Sequence, residues 1–118
     1  MSDELLIRLK EATEGLLYPS ECDSSLEPFV WEEAENTEAA IRRLAEQPEK
    51  SWCRTTSAEE FFGEVDEISG FHQLHQTLQG ILSDLKVYRF GVVEVSVYVV
   101  GRAEDGRLAG FKTLSVET

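Results

Sequence analysis

The chain has 118 residues, 42% of them hydrophobic and 29% charged, with a formal net charge of −12. This length and balance suit one compact domain, residues 1–118, with one real core, and they exclude a disordered chain. Phosphate repulsion argues against direct binding of nucleic acid, and no apolar run is long enough to cross a bilayer.

The acidity favours a basic protein partner, or a site built around a divalent cation, although such charge also serves solubility alone. The N-terminus opens with Asp3 and Glu4 and then turns amphipathic, whereas a secretory signal begins basic and continues apolar. The expectation is therefore a cytoplasmic protein. Two cysteines, Cys22 and Cys53, are too few for a disulfide framework, so two reduced thiols are expected, with pairing left open.

Along the chain, Ser2 can cap a helix whose stripe is Leu5, Leu6, Leu9 and Ala12, with Gly15 as its stop. Leu16 to Glu27 reads as irregular, broken by Pro19 and two serines. Phe29-Val30-Trp31 is a short strand. Thr37 is an N-cap for a second helix carrying Ala40, Ile41, Leu44 and Ala45, which Pro48 ends. A strand is expected at Ser51 to Thr55. Ser57 and Glu60 form a capping box for a short helix with Phe61 and Phe62. Phe71, Leu74, Leu78, Ile81, Leu82 and Leu85 make the longest helical stripe.

The last third changes period. Lys86 to Phe90 is a strand. Val93, Val95, Val97 and Val99 then alternate with Glu94, Ser96 and Tyr98 at strand spacing. Asp105-Gly106 marks a hairpin, and Leu108 to Val116 is the returning strand. Helices followed by a C-terminal β-meander predict an α+β domain, its helices packed on a mostly antiparallel sheet.

The residues that carry chemistry elsewhere do so weakly here. His72 and His75, three apart on a helix, could share a metal, but no H-E-x-x-H pattern surrounds them and surface or boundary histidines are the commoner outcome. Cys22 stands between Glu21 and Asp23, whose charges raise a thiol pKa and oppose nucleophilic use. Cys53 reads as core packing. The chain has neither a glycine-rich phosphate loop nor a G-x-S-x-G, so an enzyme is not expected. The carboxylates of Glu21, Asp23 and Glu27, continued by Glu32, Glu33, Glu35 and Glu38, lack EF-hand spacing. They form a solvated acidic face, or a loop that seeks a cation in another protein's active site. The chain end at Thr118 directly follows a strong strand, which would present a carboxylate beside a hydroxyl, both good oxygen ligands for Mg²⁺.

Several blocks in order resemble the nuclease A inhibitor family. They are Leu9-Lys10, Gly15-Leu16-Leu17-Tyr18, Ser20-Glu21 and Phe29-Val30-Trp31-Glu32 near the start. Near the end they are Val87-Tyr88-Arg89-Phe90-Gly91, Val97-Tyr98-Val99-Val100-Gly101, Asp105-Gly106-Arg107-Leu108-Ala109-Gly110 and Val116-Glu117-Thr118. The middle of the chain matches least. The resemblance implies an α/β/α sandwich similar to the plant PR-1-like fold. It implies tight binding to a sugar-nonspecific DNA/RNA endonuclease of the ββα-metal type, with no cofactor of the inhibitor's own. It also implies that Glu21, in the loop after the first helix, enters the nuclease active site, and that Thr118 reaches the catalytic magnesium region. Family members carry a longer, acidic, tryptophan-containing loop between the paired phenylalanines and the long helix; here Gly63 to Gly70 is short and lacks tryptophan. The alternative is an acidic interaction adaptor on the same fold with a partner other than a nuclease.

Overall fold

The computed structural model of the chain describes residues 4–19, 23–32, 35–48, 52–65, 67–68 and 70–116. Among these residues lie four helices and seven strands: α1 (Glu4–Thr13), β1 (Leu17–Tyr18), β2 (Ser24–Ser25), β3 (Glu27–Trp31), α2 (Glu38–Leu44), β4 (Cys53–Ser57), α3 (Ala58–Val65), α4 (Phe71–Ile81), β5 (Leu82–Phe90), β6 (Glu94–Ala103) and β7 (Leu108–Val116). The architecture is α+β. Strands β3 to β7 form a five-stranded antiparallel sheet in the order β3-β7-β6-β5-β4, and β1 and β2 pair separately.

The alternating pattern of the C-terminal strands sorts the core onto both faces of the sheet, because successive strand residues point to opposite sides. Val87, Val97, Val99, Ala109 and Phe111 join Leu9 of α1, Phe61, Phe62 and Val65 of α3, and Phe71, Leu74 and Leu78 of α4 in one buried cluster. Their strand neighbours Tyr88, Phe90, Tyr98, Val100 and Leu108 form a second cluster with Ile41 of α2 and the partly buried Phe29, Trp31, Leu44 and Cys53. Three helices thus cover one face, and the short α2 covers part of the other. Fully burying one such Leu, Val or Phe contributes roughly 1.5–3 kcal/mol.

The local signals account for the helix starts. Thr37 accepts a side-chain hydrogen bond from the Ala40 N–H at 3.3 Å, and Ser57 Oγ accepts one from the Glu60 N–H at 3.1 Å. Each satisfies one of the backbone donors that a helix start leaves open. A buried polar knot fixes the approach to α2. Asn36, 3% exposed, donates from Nδ2 to the Asp84 carbonyl at 2.7 Å and accepts at Oδ1 from the Tyr88 hydroxyl at 2.8 Å.

Five boundaries differ from the sequence expectation. The long helix stops at Ile81; Leu82 opens β5 opposite Ala103, so Leu82 and Leu85 belong to the strand. The register of β5 shifts between Ser83 and Lys86, and Asp84 there has φ 52°. That bulge hides the strand's alternation. Helix α2 ends at Leu44, with Ala45 as its C-cap and Glu46 at φ 56°, ahead of Pro48. Strand β4 spans Cys53–Ser57 and not Ser51 to Thr55. Val93 lies in the turn before β6 and is 55% exposed, outside the inward-facing valine series. The stretch from Leu16 to Glu27 contains the β1–β2 pair, held by the register Leu17↔Ser25 and Tyr18↔Ser24.

Candidate functional site

Strand β2 and the last residues of β7 lie at one end of the five-stranded sheet. Tyr18, 5% exposed, anchors β1 by stacking on Phe61 of α3, ring centroids 5.4 Å apart. Glu27 at the start of β3 pairs with Lys112 of β7, both in register and as an ion pair at 3.5 Å. Because the two strands are antiparallel, the residues before Glu27 run alongside those after Lys112. The Thr113 hydroxyl accordingly donates to the Ser25 carbonyl at 3.0 Å. Ser24, Ser25 and Glu27 line a shallow cavity with Ser96, Tyr98, Lys112, Thr113 and Leu114. The last β7 residue, Val116, sits opposite Glu94 of β6.

Glu21 and Thr118, the two residues the resemblance points to, lie outside the described residues, as does Cys22. What the structure gives is their described flanks. Tyr18 and Ser24 frame the first and Val116 precedes the second, all at the same sheet end.

The β5–β6 turn and the approach to β4 close that end. The Gly91 N–H donates to the Trp52 carbonyl at 2.9 Å, continuing the β4–β5 ladder one step past Cys53↔Phe90. Gly91 has φ 110°, and a Cβ there would run into the Glu94 carbonyl, so the turn requires glycine. Glu64, near the end of α3, reaches Arg89 of β5 at 3.5 Å, which brings the link between α3 and α4 to this end as well. Exposed carboxylates surround the arrangement: Asp23, Glu64, Glu67 and Glu94.

The alternative chemistries find other roles. His72 is exposed, while His75 stacks on Phe62 at 4.3 Å with its ring nearly parallel, so it packs in the helix layer. Among the described residues no group of three His, Cys, Asp or Glu side chains could hold a metal ion. Cys53 is a free thiol packed against the α2-side cluster. Burial, then the hydrogen bond to Glu38 and that residue's charge, push its pKa up to about 12, which opposes use as a nucleophile. No described helix is long and apolar enough to cross a membrane.

Sequence reasoning missed Trp52, Val92 and Val93 at this end. The available signal was the Gly91-Val92-Val93-Glu94 run, in which two adjacent valines after a turn glycine break the period-2 alternation.

These features define a small acidic α+β protein that brings its β2 strand and its last strand together at one sheet end. The chain belongs to the nuclease A inhibitor-like protein family, whose family model matches residues 3–118. No curated protein matches it.

Proposed function

We propose that this protein inhibits a metal-dependent, sugar-nonspecific DNA/RNA endonuclease of the ββα-metal type by occupying its active site with Glu21 and the C-terminal Thr118. The observation that carries the reading is the family match over residues 3–118, which takes in both ends of the chain. The convergence of their flanking strands on one sheet end supports it further. In this reading residues 1–118 act as a single cytoplasmic domain on an α/β/α sandwich of the PR-1-like kind, and the protein is not itself an enzyme.

The mechanism is occupancy without a scissile bond. A nuclease of this type holds Mg²⁺ and grips phosphate with basic side chains. The carboxylate of Glu21 and the carboxylate and hydroxyl of Thr118 are oxygen ligands of the kind Mg²⁺ prefers. They also accept charge-assisted hydrogen bonds, which contribute about 1.5–3 kcal/mol each when the donor is charged. The inhibitor brings no cofactor of its own. The remaining acidic surface steers encounter and repels nucleic acid.

Glu21→Ala, and separately removal of Thr118, test the assignment. Each is expected to weaken inhibition of plasmid cleavage at least about tenfold, the loss of one charge-assisted contact, with an unchanged thermal midpoint. Undiminished potency in both folded variants would remove these two residues from the interface.

A further inference from the structure

We infer that Trp52, Val92 and Val93 form an apolar anchor that docks on the nuclease at the sheet end where β2 meets the last residues of β7; this rests on the inhibitor reading above. Among the described residues they are the three most exposed large apolar side chains, at 65%, 70% and 55%. They are also neighbours. The Trp52 carbonyl takes the Gly91 N–H at 2.9 Å, and the two valines follow Gly91 directly. Single exposed apolar residues are ordinary, but a tryptophan beside two β-branched residues in a turn is not, since turns favour small and polar types.

Geometry commits the patch to one occupant. Three strand spacings separate β4 from β7 in the order β7-β6-β5-β4. At about 4.8 Å each, Trp52 stands roughly 14 Å from the strand that leads to Thr118. A standard interface covers about 800 Å² per partner, a patch roughly 30 Å across. A nuclease seated on Ser24 of β2 and Val116 of β7 therefore reaches the apolar trio. Glu94, exposed next to Val93, and Glu64 and Glu67 supply the polar rim. An aromatic anchor with a charged surround is the usual anatomy of a binding hot spot. The partner surface it fits is an apolar collar outside a basic, metal-bearing site.

Apolar anchors act on dissociation, whereas rim charges act on association and its salt dependence. The test is stopped-flow binding to the host's sugar-nonspecific endonuclease at two salt concentrations, with inhibition of plasmid cleavage measured alongside. Trp52→Ala is expected to raise the dissociation rate about 30-fold or more, the size of a hot-spot truncation. Val92→Ser/Val93→Ser, a second route to the same loss, is expected to raise it about 5- to 10-fold. Association rate and salt slope stay as in the wild type, and Ile7→Ser, an exposed apolar change on α1, changes none of them. Unchanged dissociation in both variants, with wild-type inhibition intact, would overturn the anchor and leave the inhibitor reading standing. A wild-type protein that does not bind or inhibit would overturn both.

Discussion

Replacing Asn36 with alanine is expected to destabilise the fold by about 2–3 kcal/mol. The side chain is 3% exposed and bridges three elements: the approach to α2, the bulge of β5 and the middle of β6. Its Nδ2 donates to the Asp84 carbonyl at 2.7 Å and, more weakly, to the Val100 carbonyl at 3.4 Å. Alanine removes two short bonds, the one to the Asp84 carbonyl and the one from the Tyr88 hydroxyl, at about 1 kcal/mol net each. The Tyr88 hydroxyl loses Oδ1 but keeps the Asn36 backbone carbonyl at 3.1 Å, which holds the sum at the lower end. Asn36→Asp is the sharper test because it keeps the shape. One carboxylate oxygen then faces two carbonyl oxygens, so at pH 7 aspartate should be worse than alanine. Burial and those carbonyls raise its folded pKa above the ordinary value of about 3.9. The extra penalty is thus absent below about pH 4 and grows as pH rises, so the gap between the two variants closes in acid. Urea unfolding with an unchanged m-value reads both, and a Tyr88→Phe double-mutant cycle should give a coupling of about 0.5–1.5 kcal/mol. An alanine variant within about 0.5 kcal/mol of wild type, or an aspartate variant no worse than alanine at pH 7, would refute this reasoning.

Further outcomes are expected. Gly110→Ala should destabilise by roughly 3 kcal/mol, since a Cβ there would run into the Val99 carbonyl in the β6–β7 ladder. Gly63→Ala, with nothing within 4 Å of the new methyl on α3, should stabilise by about 0.5–1 kcal/mol; equilibrium unfolding distinguishes the signs. Alkaline pH should weaken the fold. Burial raises Cys53 from 9.0, and burial then the Asp84 charge raise Tyr88 from 10.0, each to about 12. Their contribution is complete below pH 9 and is lost as pH rises from there toward 12, while Cys53→Ser/Tyr88→Phe should flatten that slope. In a Cys22→Ser background, Cys53 should resist iodoacetamide at pH 8.5, where an ordinary thiol reacts. Association with the nuclease should slow several-fold between about 50 and 500 mM salt, because screening shortens the reach of the acidic rim; a salt-independent rate would contradict electrostatic steering.

Much of the fold was legible because single residues carried local physics. Thr37 and Ser57 mark helix starts through their hydroxyls, and Val95, Val97 and Val99 mark a strand through alternation. The junction at Ile81 and Leu82 was not legible. Leu78, Ile81, Leu82 and Leu85 keep a helical period across the boundary, and only pairing with Ala103 and the bulge at Asp84 turn the chain into a strand. The sheet order and the division of helices between its two faces depend on contacts far apart in sequence, so no local window contains them. Glu21 and Thr118 were named only through resemblance. Nothing local to Glu21 says that β2 runs beside the end of β7, which the Thr113–Ser25 hydrogen bond reveals. Trp52 went unread because its exposure depends on where β4 begins, two residues later than its sequence suggested.

The most direct measurement is a titration of this protein into a fixed amount of the host's sugar-nonspecific endonuclease in the presence of Mg²⁺, following plasmid cleavage. Activity should fall linearly and vanish near one inhibitor per nuclease. Undiminished cleavage at large excess of folded protein would contradict the inhibitor account, leaving an acidic adaptor with a different partner as the reading to pursue.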